Sequence, residues 1–180
     1  MSVKYDKISL EDKTGGENMG NSYTFRSPIG FLTICEQDNQ LTRLYLNHSY
    51  EEDLKNKGFE HHSDFLYEVY HQLNEYFAGK RRNFELPVKG QGTAFQKAVW
   101  RELQEIPYGE TRSYEDIAVA IGNKKAVRAI GQANGRNPIM IVVPCHRVIH
   151  KNGDISGFAC GVEAKRYLLN LERENSINQL

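Results

Sequence analysis

The apolar residues of this chain change their spacing once, at Lys89-Gly90-Gln91-Gly92, and that change limits the fold more than any other feature. Ahead of it, Tyr23-Thr24-Phe25, Phe31 to Cys35 and Leu41 to Leu46 alternate with the period of half-buried strands. Turn residues separate them at Pro28-Ile29-Gly30 and at Gln37-Asp38-Asn39-Gln40. A helix then opens at Ser63 as N-cap, repeats Phe65, Leu66, Val69, Leu73, Tyr76 and Phe77 at helical spacing, and stops at Gly79. Asn83 to Val88 are expected to return as a strand, and the polar residues 1–20 to form an arm.

Beyond the glycines the period is helical. Thr93 caps a helix whose Phe95, Val99, Leu103 and Ile106 share a face, closed by Pro107-Tyr108-Gly109. Ser113 and Asp116 make a capping-box-like start for a helix from Tyr114 to Ile121. Gly122-Asn123 breaks it, and Lys124 to Asn134 is expected to form the next. Two short helices joined by a glycine-containing turn fit a helix-turn-helix, although the pattern alone favours an ordinary helical hairpin. The expected organisation is an N-terminal α/β domain over 1–88, a linker at 89–92 and a mainly helical domain over 93–174.

Net charge is zero, but it is unevenly placed. Residues 1–92 carry 11 Lys/Arg against 14 Asp/Glu, a net of −3; residues 93–151 carry 9 against 5, a net of +4. A polyanion partner therefore suits the middle segment better than the rest, although a solvated face accounts for the same excess. No apolar run approaches the roughly 18 residues of a membrane span, and Met1 to Asn21 lack the apolar core of a secretory signal. Cys35, Cys145 and Cys160 are too few and too oddly numbered for a disulfide framework, which points to a reducing, cytoplasmic setting (nuclear in a eukaryote).

The densest chemistry lies in Ile139-Met140-Ile141-Val142-Val143-Pro144-Cys145-His146-Arg147-Val148-Ile149-His150. An apolar run of strand length delivers Pro144, which cannot donate to a ladder, and so displays Cys145 at the end of a buried element. Apolar walls alone make a thiol inert, and a core cysteine is one reading of the residue. An adjacent imidazole oriented by a carboxylate can instead hold the sulfur as thiolate, with His146 and a later Asp or Glu in those roles. Strand neighbours point to opposite faces, so contact between Cys145 and His146 requires a turn or a bridging water. Cys145, His146, His150 and Cys160 also form a zinc-like set, but one without a C-x-x-C pair and with adjacent ligands that suit one tetrahedral ion poorly.

Pro144-Cys145-His146-Arg147-Val148, with Asn137-Pro138 upstream, resembles the O6-alkylguanine-DNA alkyltransferases, or methylated-DNA–protein-cysteine methyltransferases. The likeness runs through Ile106-Pro107-Tyr108-Gly109-Glu110-Thr111, Ser113-Tyr114, Ile117-Ala118, Gly122-Asn123 and Ala126-Val127-Arg128-Ala129-Ile130-Gly131. It continues to Gly157-Phe158 and Leu168-Leu169-Asn170-Leu171-Glu172, covering about residues 92–174. The resemblance implies a small ribonuclease-H-like antiparallel sheet with a helix, followed by a helix-turn-helix domain. It implies stoichiometric, irreversible transfer of an alkyl group from O6-alkylguanine (and O4-alkylthymine as a further substrate) in double-stranded DNA to Cys145. A monomer and no cofactor are implied with it, and no metal is expected, since the N-terminal half has no cluster of cysteines to hold a structural zinc.

By the same resemblance His146 takes the thiol proton through a water, Glu172 completes the relay and Asn137 organises it. Tyr114 helps rotate the nucleotide out and protonates the leaving guanine, and Arg128 fills the vacated stack. Asn123, Ala126, Ala129 and Lys151 would lie along DNA, the small residues Ala126, Ala129, Gly131 and Ala133 pressing the helix against a groove. Val148, Phe158 and Ala159 would line the base pocket. Cys160 stands where the family pattern has glycine, which is expected to narrow that pocket unless the thiol points to solvent. Two other readings stay open: a protein that binds alkylated DNA without reacting, and a cysteine hydrolase.

Overall fold

A computed structural model describes residues 21–48, 63–156, 158 and 160–177. The arm expected over 1–20, the pocket position Ala159 and the matched Gly157 lie outside the described residues. Two compact units make up the chain. The first extends to Arg81 and includes Glu85–Lys89; the second comprises Arg82–Phe84 and the chain from Gly90 onward.

In the first unit, β1 (Ser22–Ser27), β2 (Gly30–Gln37) and β3 (Gln40–Leu46) form an antiparallel sheet in the order β1-β2-β3. The β2–β3 hairpin turns on Asp38 and Asn39, both with positive φ (53° and 55°), a geometry that short polar side chains tolerate. Alternation buries Tyr23, Phe25, Leu32, Ile34 and Leu44. Helix α1 (Asp64–Phe77) covers them with Leu66, Val69, Tyr70, Leu73 and Tyr76, and the Ser63 hydroxyl caps it by accepting from Leu66 N–H at 3.1 Å. Phe25 meets Tyr70 edge to face with centroids 4.9 Å apart. The strand expected over 83–88 does not form. Pro87 O accepts from Leu41 N–H at 2.8 Å and Lys89 N–H donates to Leu41 O at 2.9 Å, leaving a single parallel bridge between Leu41 and Val88. Pro87 has no N–H with which to extend a ladder.

The second unit begins with α2 (Ala94–Gln104), whose Thr93–Gln96 capping box satisfies two end groups reciprocally. Ser113 and Asp116 do the same for α3 (Tyr114–Ala120). Helix α4 (Val127–Gly135) starts three residues later than the sequence suggests. Lys124 and Lys125 would place two cations in the first turn, at the positive end of the helix dipole. Ala126 fills the N-cap without a side-chain hydrogen bond. The inward face of α4 carries Ile130, Ala133 and Asn134, and Trp100 Nε1 of α2 donates to Ala133 O at 2.9 Å. A short parallel pair, β4 (Arg112–Ser113) with β5 (Val148–Ile149), joins the start of α3 to the segment after Cys145. Helix α5 (Val162–Ile177) completes the unit.

The apolar run 139–143 is not a strand. It folds back on itself at Ile141, whose φ is 71°, with Val143 N–H donating to Ile139 O and Val142 N–H to Met140 O, both at 2.9 Å. Its five residues are buried or half-buried, so an uninterrupted apolar run was required here, but for a buried turn. No described helix is long and apolar enough to cross a membrane.

Candidate active site

Asn137 closes that turn. Its amide Nδ2 donates to Val143 O at 2.7 Å and its Oδ1 accepts from Ile139 N–H at 3.1 Å, so one side chain bridges both ends. Pro144 follows, and Cys145–Arg147 form a single 3-10 turn. This supplies the bend that the neighbours Cys145 and His146 need: the imidazole is not thrown to the opposite face as it would be in a strand. Asn134, on the buried face of α4, holds the turn from the other side by donating to Cys145 O at 3.3 Å.

His146 is fully buried, and its Nε2 lies 2.7 Å from Glu172 Oε1. A carboxylate only accepts, so Nε2 carries the proton and Nδ1 of the neutral ring is left as a lone pair. Nδ1 is buried and without a hydrogen-bond partner among the described residues. Burial pushes the His146 pKa down against the pull of Glu172, which keeps the ring neutral. An imidazole in that tautomer is a base waiting for a proton at Nδ1.

Glu172, 1 % exposed, is saturated with donors. Besides His146 it accepts from Arg147 Nε at 2.9 Å, Arg147 Nη2 at 3.0 Å and Gly109 N–H at 3.1 Å. Burial works to raise its pKa, but the bonds and charges of His146 and Arg147 outweigh this and hold it far below the usual carboxylate range. Arg147 spends its remaining Nη1 on Ile106 O at 2.6 Å. Gly109 has φ 78°, and a Cβ there would run into Ser176, so glycine is required where the backbone touches the carboxylate.

The Cys145 thiol is 4 % exposed, and burial pushes its pKa up to about 12. The nearby Asn137 amide and the Lys165 charge pull it down, and Cys160 adds to the rise. Desolvation thus favours the neutral thiol, and Asn137 and Lys165 work against it towards the thiolate. Tyr114, 6 % exposed at the start of α3, has its phenol pKa raised by burial and by the negative charge that the Cys145 sulfur carries when ionised. It is a proton donor at neutral pH, with its ring 5.2 Å from that of His150.

Other sequence candidates separate into wall and surface. Val148 is fully buried and Phe158 half-buried. Cys160 is also half-buried, and its thiol turns onto Met140, with Sγ 3.5 Å from Sδ. Arg128 and Ala129 are exposed on the outer side of α4, as are Asn123 and Lys151 in the loops. Ala126 and Ala133 differ from expectation: they are 9 % and 2 % exposed, so their methyl groups pack inward. The Ala126 N–H is taken by Asn123 O at 3.0 Å as well. A helix packed on two neighbours needs small residues on its inner face, which the sequence pattern alone does not distinguish from an outer one. Among the described residues, no group of three or more His, Cys, Asp or Glu could hold a metal ion.

Arg147, Gly109, Asn134 and Lys165 had no assigned part in the sequence reading. Two of them leave a signal there: Asn134 sits at i+4 from Ile130, and Lys165 beside the Ala164–Leu168–Glu172 stripe, so each puts a polar group on an apolar face.

Comparison with known proteins agrees with this geometry. Residues 22–89 match the family model for the ribonuclease-like domain of 6-O-methylguanine DNA methyltransferase, and residues 94–174 match that for its DNA binding domain. The chain is 50% identical over 154 residues to the constitutive methylated-DNA–protein-cysteine methyltransferase of Bacillus subtilis, covering 83% of this chain and 93% of that one. The crystal structure of the Mycobacterium tuberculosis O6-methylguanine methyltransferase is 43% identical, with a TM-score of 0.73 over 84% of this chain and 92% of the other. A further structure of the Mycobacterium tuberculosis protein, in complex with DNA, is 42% identical with a TM-score of 0.75, covering 86% and 93%. Both domain models match in order, and the relatives are covered almost end to end: the chain belongs to the 6-O-methylguanine DNA methyltransferase family.

Proposed function

We propose that this protein repairs DNA by direct reversal, moving the alkyl group of an O6-alkylguanine irreversibly onto Cys145. The observation that carries the reading is a buried His146–Glu172 pair with a bare Nδ1, set in one turn with a buried neutral thiol. His146 takes the Cys145 proton at Nδ1, directly or through a bridging water, and Glu172 stabilises the imidazolium that results. The sulfur attacks the alkyl carbon; the C–S bond forms as the C–O6 bond breaks. Guanine leaves with the electron pair and takes a proton from the Tyr114 hydroxyl. A thioether has no good leaving group, so each chain acts once, and no step calls for a cofactor.

O6 of a stacked guanine cannot meet a buried thiol, so the nucleotide must leave the helix at a cost of a few kcal/mol. Arg128, exposed on α4, fills the gap in the stack, its planar guanidinium also able to bond the orphaned base. Asn123, Ala129 and Lys151 contact the strand around it, and Val148 and Phe158 wall the extruded base. Three free cysteines and a DNA substrate support a cytoplasmic setting, or the nucleus in a eukaryote.

Intact-mass measurement after incubation with duplex DNA carrying O6-methylguanine tests this. The expected result is a stable gain of one CH2 per chain, absent in Cys145→Ala. Tight binding without a change of mass would make the protein a passive binder, and turnover of an amide would make it a hydrolase. In the same assay Arg128→Ala should slow transfer by about tenfold or more, since a flipped base without a plug returns to the stack. Its reactivity towards iodoacetamide should stay at the wild-type level. Normal transfer by that variant would remove Arg128 from the flipping step.

A further inference from the structure

Asn134 faces inward from the last turn of α4 and is 4 % exposed, on the side of Ile130 and Ala133. Its Nδ2 donates to Cys145 O at 3.3 Å. That carbonyl already accepts from Val148 N–H, so it would not stand unpaired without the amide. A carbonyl only accepts, which fixes Nδ2 towards it and turns Oδ1 away. Oδ1 is buried and has no hydrogen-bond partner among the described residues. An apolar side chain at this position would spare the fold that unsatisfied acceptor. The amide therefore calls for a reason beyond holding the turn.

An amide nitrogen carries two hydrogens, and the Cys145 carbonyl uses one of them. The second has a partner in Tyr114. Helix α3 packs on α4, and the Tyr114 ring lies against α4 at Gly131, its Cε1 3.9 Å from where a Cβ of residue 131 would stand. Asn134 is three residues further on, which puts it on the same face of the helix. Burial and the ionised Cys145 sulfur hold the Tyr114 phenol pKa up, and a hydrogen bond from the Asn134 side chain pulls it down. Of these three influences only Asn134 favours the phenolate. One side chain thus touches the backbone of the acceptor and the oxygen of the proton donor.

We propose that Asn134 is the positioning residue of the proton-donating step: anchored on the Cys145 carbonyl, its amide presents a second N–H to the Tyr114 oxygen and stabilises the phenolate that forms as guanine leaves. The electron pair of the broken C–O6 bond goes to guanine, which takes the Tyr114 proton. The phenolate then accepts from Asn134 Nδ2 until solvent reprotonates it. The thiol proton goes to His146 as before, and Asn134 itself gains and loses none. The inference rests on the alkyl-transfer reading with Tyr114 as its acid. It also accounts for an amide on the apolar face of α4, where the unpaired Oδ1 is the cost of the donor.

The test compares two electrophiles, O6-methylguanine in duplex DNA and iodoacetamide, whose iodide leaves without a proton and so bypasses the acid. Asn134→Leu, close to asparagine in shape, should slow single-turnover transfer from saturating DNA by roughly tenfold or more, the effect of losing one hydrogen bond to a charged group. Its DNA affinity should be unchanged and its rate with iodoacetamide should stay within a few-fold of wild type. In a Tyr114→Phe background, where no phenolate forms, Asn134→Leu should add almost no further loss. Equal transfer by Asn134→Leu and wild type would overturn the proposal. So would equal losses towards DNA and iodoacetamide, which would make Asn134 a prop for Cys145 alone, or the full loss recurring beside Tyr114→Phe. Should Asn134→Leu not fold, Asn134→Asp keeps the shape without the N–H at neutral pH, and transfer by it at the wild-type rate would overturn the proposal. A wild type that alkylates with iodoacetamide but never accepts methyl from DNA would instead defeat the repair function.

Discussion

Glu172→Gln is expected to cut alkyl transfer by about two orders of magnitude or more and to destabilise the second unit by about 3–5 kcal/mol. Both losses come from one carboxylate with four donors: His146 Nε2, two nitrogens of Arg147 and the Gly109 N–H. Glutamine offers one acceptor oxygen, and its NH2 faces donors that it cannot satisfy. Arg147, 6 % exposed, then keeps its charge but loses the carboxylate that neutralises it, and breaking a buried pair from one side is the costly way to break it. His146 loses the anion that fixes its tautomer and stabilises its protonated form, so the base for Cys145 weakens. Urea melts and single-turnover rates check the two halves separately.

The same carboxylate contributes to the acid dependence of stability. Its folded pKa lies below its unfolded value, so the stability it contributes is complete above the ordinary carboxylate pKa of 4.5 and is lost progressively as pH falls below it. In Glu172→Gln that part of the acid dependence should disappear, leaving a flatter profile of stability as pH falls below 4.5. A variant that melts like the wild type across this range and transfers alkyl at the wild-type rate would remove Glu172 from the network's centre.

Much of this site was legible before any coordinates, and the boundary follows the reach of the interactions. Ser63, Thr93 and Ser113 announce their helices because a cap is a bond over three residues, and the Asp38-Asn39 hairpin because its turn conformation is local. The proximity of Cys145 and His146 to each other is written in their adjacency, but the 3-10 turn that makes it usable is not. Ile139 to Val143 have the composition of a buried strand; what folds them into a turn is a side chain two residues upstream, whose bonds leave no periodic trace. Lys165 lies 17 residues from the carbonyl it holds, and Gly109 63 residues from its carboxylate. Such pairs surface in a sequence only as a polar residue on an apolar stripe or a glycine in a turn. Ala126 and Ala133 mark the opposite error, since small residues suit close packing against protein as well as against a groove.

Asn137→Ala should be the most damaging change outside the relay itself. It leaves Ile139 N–H without its acceptor and removes one of the two donors to Val143 O, the other being Cys145 N–H at 2.8 Å. The unsatisfied Ile139 N–H costs about 1–3 kcal/mol and the lost bond to Val143 O about 1 kcal/mol, so a loss of about 2–4 kcal/mol is expected in urea melts. The turn it releases is also strained, because Ile141 is β-branched and held at φ 71°, a conformation that persists only while its surroundings impose it. Once released, the turn no longer fixes Cys145, and a displacement of the sulfur by an ångström is enough to cost about 10²-fold in transfer rate. Asn137→Asp separates the two functions of the amide. Its carboxylate still accepts from Ile139 N–H, but at neutral pH it cannot donate to Val143 O and it sets an anion near the thiol, so it should react more slowly with iodoacetamide than wild type. Protonating that carboxylate restores a donor, so the stability deficit of Asn137→Asp should shrink as pH falls through its carboxyl range, whereas that of Asn137→Ala should not. An Asn137→Ala protein that transfers alkyl at the wild-type rate would show that the turn holds Cys145 without it.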